Sequence, residues 1–182
     1  MAIKTFTTGE VLTAADTNTY LANSGLVYVK QQTVGSGVSS VTISDAFSST
    51  YDNYRIIYAG GTMSAQERFK VTLGASVASY SSTVLFCTYA TGNFGSAGIS
   101  NGSAFSFIGG GNTSSGGFVM DLQNPFLAQY TQMNAFGSLQ TEQSTWAQGI
   151  HAVSTSYTSF IMSPASGTIT GGTVTVFGYR KA

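Results

Sequence analysis

The sequence predicts an all-β protein: a jelly-roll-like antiparallel β-sandwich preceded by one short N-terminal helix. Three observations carry this. Short β-prone runs recur every ten to fifteen residues with no helical period between them, a spacing that belongs to antiparallel sandwiches and not to βαβ units. Runs of Gly, Asn, Asp and Ser separate them. Finally, Arg68-Phe69-Lys70-Val71-Thr72-Leu73 alternates strictly, with Phe69, Val71 and Leu73 on one face and Arg68, Lys70 and Thr72 on the other, as a half-buried strand requires.

The elements follow in order. Thr13 with Asp16 three positions later is a capping-box variant, Leu12 stands just before the cap, and Asn23-Ser24-Gly25 is a stop with Gly25 left-handed. These frame a helix over Ala14 to Asn23. So short a helix is marginal alone in water, so its apolar neighbours Phe6, Val11, Leu12, Tyr20 and Leu21 need a partner surface. Residues 1–25 are accordingly read as an attachment segment and 26–182 as the sandwich domain.

In that domain Leu26-Val27-Tyr28-Val29 opens the strand series, and Val41-Thr42-Ile43 resumes it after Gly35-Ser36-Gly37. Tyr54 to Tyr58 is a stronger run, followed by Arg68 to Leu73, Thr83 to Tyr89, Ala104 to Ile108 and Phe118 to Leu122. Trp146 to Val153, Tyr157 to Met162 and Thr173 to Tyr179 complete eight to ten strands. Phe118, Met120 and Leu122 are expected inward, Val119 and Asp121 outward. Asn124-Pro125 ends that strand, since proline cannot donate to a ladder. The Gly-, Asn- and Ser-rich stretch from Ala90 to Asn112 is expected to be a long exposed loop, and Gly109-Gly110-Gly111 a turn.

Composition narrows the function classes. Only 8% of residues are charged, against roughly a quarter in an average protein, while 13% are aromatic. Seven basic and seven acidic residues balance to zero, with no Lys/Arg cluster, so nucleic acid is not an expected partner. A chain without net charge lacks the repulsion that keeps monomers apart, and self-association is expected. No window approaches a membrane span and the N-terminus has no signal-peptide apolar run, so synthesis in a cytoplasm without membrane insertion is expected.

Positioned titratable chemistry is sparse. One cysteine, Cys87, excludes an intrachain disulfide, and with one histidine, His151, it cannot supply a zinc ligand set. His151 alternates opposite Ile150 and reads as a structural or surface residue, and no Gly-x-Ser-x-Gly elbow accompanies it. A carboxylate pair drawn from Asp45, Asp52, Glu67, Asp121 and Glu142 is the one enzymatic option, but each has a turn, loop or outer-face role. We therefore expect no catalytic residues, no metal and no cofactor. Trp146, Tyr89, Phe94 and Asn101 are the candidate receptor contacts, because glycan recognition combines aromatic platforms with amides.

Two blocks carry a resemblance. Ile3-Lys4-Thr5-Phe6-Thr7-Thr8-Gly9-Glu10-Val11-Leu12-Thr13-Ala14-Ala15-Asp16-Thr17-Asn18-Thr19-Tyr20-Leu21 resembles the N-termini of small β-rich structural proteins of tailed bacteriophages. Ser166 to Lys181, with Thr173-Val174-Thr175-Val176-Phe177-Gly178-Tyr179, is similar to the C-terminal strand pair of the same group, as is Tyr51-Asp52-Asn53-Tyr54 before a strand. The resemblance covers a fifth to a quarter of the chain. It implies a virion protein of the tail-fibre, minor-tail or head-appendage type, homotrimeric, attached to other virion proteins through its N-terminus with the sandwich displayed outward. The leading expectation is that exposed loops contact the host envelope, with a surface glycan as the candidate receptor. No heptads or β-helix repeats are present, which favours a compact knob over a long shaft. The alternative within the group is a capsid decoration (cement) protein that clamps capsomers and reads no receptor.

Overall fold

The alternation that the sequence displays resolves into strands whose inward faces are buried almost completely. The structure is a computed structural model that describes residues 7–16, 25–139 and 142–181. Among these are twelve strands, all paired antiparallel: β1 (Leu26–Thr33), β2 (Val41–Ile43), β3 (Asn53–Met63), β4 (Glu67–Leu73), β5 (Tyr80–Thr88), β6 (Phe94–Gly102), β7 (Phe105–Gly111), β8 (Gly116–Gln123), β9 (Thr131–Leu139), β10 (Gln143–His151), β11 (Phe160–Pro164) and β12 (Ile169–Tyr179). A single helical turn, α1 (Ala14–Asp16), precedes them.

A large sheet runs β1-β12-β3-β8-β9-β10-β5-β6, and a small one runs β2-β11-β4-β7. With the hairpins β5–β6 and β9–β10 set aside, eight strands remain. Their order, first-eighth-third-sixth facing second-seventh-fourth-fifth, is that of a jelly roll. The two hairpins pair with each other through β5 and β10 and extend the large sheet beyond β8. The expected jelly-roll-like sandwich is what forms, with a four-stranded wing added to one sheet.

Tyr58, Phe69 and Phe118 meet at the centre with ring centroids 5.2 to 6.0 Å apart. Phe69, Val71, Leu73, Phe118, Met120 and Leu122 all point into the core as expected. Burial pushes the Tyr58 hydroxyl up to about 12, and that hydroxyl donates to the Gly171 carbonyl at 2.9 Å, so the buried phenol is satisfied. Under the wing, Tyr80 stacks on His151 at 4.0 Å and meets Phe105 edge-on at 4.9 Å.

The sheets join at a glycine corner. Gly109 to Gly111 lie in β7, where a short ladder pairs Gly110 with Gly117 and Gly111 with Gly116. Gly109 is left-handed (φ 52°), and a Cβ on Gly137 of β9 would lie 2.5 Å from the Gly109 Cα. Three backbones approach here as only glycine allows. This corrects the expectation of a turn at Gly109-Gly110-Gly111.

The 90–112 stretch is likewise not a loop. It forms β6 and β7, with Phe105 fully buried and Phe107 partly buried against the core. Strand β6 has no buried residue and is ordered by its ladder to β5, so composition alone could not mark it. Strand β9 was not expected either. Of its inward positions, Thr131, Met133, Ala135 and Gly137, only Met133 carries a large apolar side chain, so the apolar signal is weak.

At the N-terminus the capping box is present: the Asp16 amide donates to Thr13 Oγ1 at 3.1 Å and the Thr13 amide to Asp16 Oδ2 at 3.2 Å. Gly25 is left-handed, with φ 84°. The helix described ends at Asp16, and the remainder of the expected helix, with Tyr20 and Leu21, lies outside the described residues, as does Phe6.

Candidate functional site: the outer face of the large sheet

Strand register aligns the outward side chains of the large sheet in rows. One row is apolar: Ile57, Val119, Phe136, Trp146 and Leu85 are successive cross-strand neighbours on β3, β8, β9, β10 and β5. Phe136 is 50% exposed, Trp146 44% and Leu85 60%. Isolated exposed apolar residues are ordinary, but a contiguous row of them marks a surface that something covers.

The next row is polar. Arg55, Asp121, Asn134, Gln148 and Thr83 follow one another across the same five strands. Arg55 and Asp121 form a two-pronged ion pair at 2.8 and 2.6 Å, and Tyr179 donates to the same carboxylate at 2.9 Å. Burial opposes ionisation of Asp121, but the hydrogen bonds from Arg55 and Tyr179, with the charge of Arg55, outweigh it and hold its carboxyl below the usual range. The charges at this end of the row thus satisfy each other.

Over these rows lie two adjoining concavities. One, of about 730 Å³, is lined by residues of β5, β6, β9 and β10, among them Ser81, Gln132, Gln148 and Ile150. The other, of about 280 Å³, lies between Trp146, Phe136 and Leu85. They share Thr83, Asn134 and Gln148, and neither has a charged side chain in its lining.

Of the four expected receptor contacts, Trp146 lies in the lining itself. Asn101 is exposed at the rim, its backbone N–H donating to Ser81 Oγ at 3.2 Å. Phe94 pairs with Cys87, one outward row nearer the tip of the β5–β6 hairpin, and Tyr89 stands at that tip; both are exposed, but neither lines a concavity. The sequence reading missed Phe136 and Asn134, which lie on the unexpected strand β9. The only local signal is the brief alternation of Gln132 and Asn134 with Met133 and Ala135, which the apolar, outward Phe136 breaks.

The expected attachment residues divide. Val11 and Leu12 are 79% and 48% exposed, and residues 7–15 are exposed throughout. Phe6, Tyr20 and Leu21 lie outside the described residues.

Titratable groups are placed as follows. His151 is fully buried on the inward face, burial pushing its pKa down. Its Nδ1 lies 3.3 Å from the Ser79 carbonyl, its Nε2 2.8 Å from the Tyr157 hydroxyl and 3.2 Å from Ser76 Oγ. With Nδ1–H donating to the carbonyl, Nε2 accepts from the hydroxyls, and the ring is satisfied as the neutral form. Asp52 pairs with Lys181 at 2.7 Å, and Glu67 accepts from Ser166 at 2.7 Å. Among the described residues no three His, Cys, Asp or Glu side chains come together, and no helix is long and apolar enough to cross a membrane.

No protein-family model matches the chain, and no curated protein matches it.

Proposed function

We propose that the protein is a structural component of a tailed-phage virion: a homotrimeric appendage knob, attached through residues 1–25, that turns the outer face of its large sheet to the host envelope. The observation that carries this reading is the placement of the N-terminal block. Of the text resembling virion-docking ends, the described residues 7–15 are exposed, while the buried core of the described residues begins at Val34. Exposed apolar side chains such as Val11 and Leu12, which the sandwich core does not bury, are available to bind elsewhere. The role proposed is binding and assembly, without catalysis or a cofactor.

A second reading has its own support. The apolar row from Ile57 to Leu85 spans five strands, and a capsid decoration protein would press such a row against a neighbouring protein. Counting copies in purified particles separates the two. Tens of copies per particle support the appendage, hundreds support the lattice clamp, and absence from the particle overturns both.

A further inference from the structure

The outer face offers an ordered set of unused hydrogen-bonding groups beside an aromatic floor. Gln148 lies directly between Asn134 and Thr83 in the ladder, and the row beside it places Trp146 between Phe136 and Leu85. Cross-strand neighbours on one face stand about 5 Å apart, so amides and rings form a closely spaced grid. The Asn134 and Gln148 side chains have no hydrogen-bond partner among the described residues. Each amide therefore presents both donors and an acceptor outward. Both strands are held by ladders on either side, so the backbone positions from which these amides project are fixed before anything binds.

We propose that this groove binds a neutral oligosaccharide. Its C–H faces lie on Trp146 and Phe136, and its hydroxyls exchange hydrogen bonds with Asn134, Gln148 and Thr83. The chemistry selects this class on three grounds. A hydroxyl both donates and accepts, which is what an amide row needs, whereas an apolar protein surface would leave that row desolvated and unpaired. A sugar ring has an apolar face for the aromatic row and polar edges for the amide row, one beside the other as they stand here. A carboxylated or sulfated glycan would bring charge into a lining with no cation to receive it, and Arg55, the cation of the polar row, is already committed to Asp121. That the glycan belongs to a host surface rests on the appendage reading; the chemistry of the groove does not.

Trp146 is the only tryptophan, so intrinsic fluorescence reports on the groove directly. The full chain is titrated with neutral hexose, N-acetylhexosamine and deoxyhexose oligosaccharides and, in parallel, with hyaluronate fragments. A saturable change in emission with at least one neutral sugar, and none with hyaluronate, is expected. Asn134→Ala and Gln148→Ala are expected to weaken that titration at least tenfold. Trp146→Ala is expected to abolish retention in affinity electrophoresis through the matching neutral polysaccharide, all three variants keeping the parent melting temperature. No response from any neutral sugar, a preference for hyaluronate, or retention indifferent to the variants would overturn the proposal. Emission that changes with protein concentration and not with sugar would also overturn it, assigning the face to a second copy of the chain. Neutral-sugar binding by a protein absent from virions would leave the groove standing and remove the appendage reading.

Discussion

At the scale of single residues, burial fixes what each side chain contributes. Phe69 is fully buried between Tyr58 and Phe118, so truncation leaves a cavity that three rings cannot collapse to fill. Phe69→Ala is expected to cost about 3–5 kcal/mol in denaturant unfolding. A loss under about 1 kcal/mol would contradict the packing described. His151 makes folding depend on pH. Burial holds its pKa below the ordinary value of 6.5, so the unfolded chain takes up the proton first. The stabilisation is complete above about pH 7 and is lost as pH falls through the depressed folded value. The melting temperature is therefore expected to drop as pH falls below the ordinary histidine value of 6.5, and His151→Gln to flatten that part of the slope. An unchanged slope would place the titration elsewhere. The inward set on β4 and β8 was legible in the sequence because large apolar residues alternate there with polar ones. The burial of His151 was not, because its partners are brought to it by the fold: Tyr80 by the β5–β10 ladder, and Ser79 and Tyr157 from the loops beside it, which no local pattern encodes.

At the scale of elements, the sequence revealed strands that bury large side chains and concealed those that do not. Strands β3, β4 and β8 carry aromatic and branched residues on their inward faces. Strand β6 is an edge with nothing to bury, and β9 covers the core with Thr, Met, Ala and Gly. The missing strand took half the candidate site with it, since Asn134 and Phe136 complete rows whose other members, Trp146 and Gln148, lie in a strand that was recognised. The glycine corner belongs to this scale as well. Glycine runs read as turns unless another backbone is known to pass within contact distance, as β9 does at Gly137. Gly137→Ala is expected to destabilise by about 1–3 kcal/mol, far more than an alanine in an open strand, because the atom it would strike is the Gly109 Cα. Thermal unfolding of this variant measures it, and a neutral outcome would mean that the corner is looser than described.

At the scale of the whole molecule, the jelly roll supplies two sheets of which one is widened by a wing, and the wing carries the uncharged groove. A charge-poor surface with zero net charge favours association, and the trimer proposed is expected to sediment at three times the mass of one chain, with or without residues 1–25. The central claim is that the N-terminal segment attaches the knob to a particle while the sandwich folds without it. Its most direct measurement is complementation of virions lacking this gene product, with the full chain and with a chain beginning at residue 26. The account predicts that both are folded and β-rich by circular dichroism, and that only the full chain is recovered in purified particles. Recovery of the truncated chain at the level of the full chain would place the docking surface on the sandwich, and unfolding of the truncated chain would make the segment part of the core; either result contradicts the account.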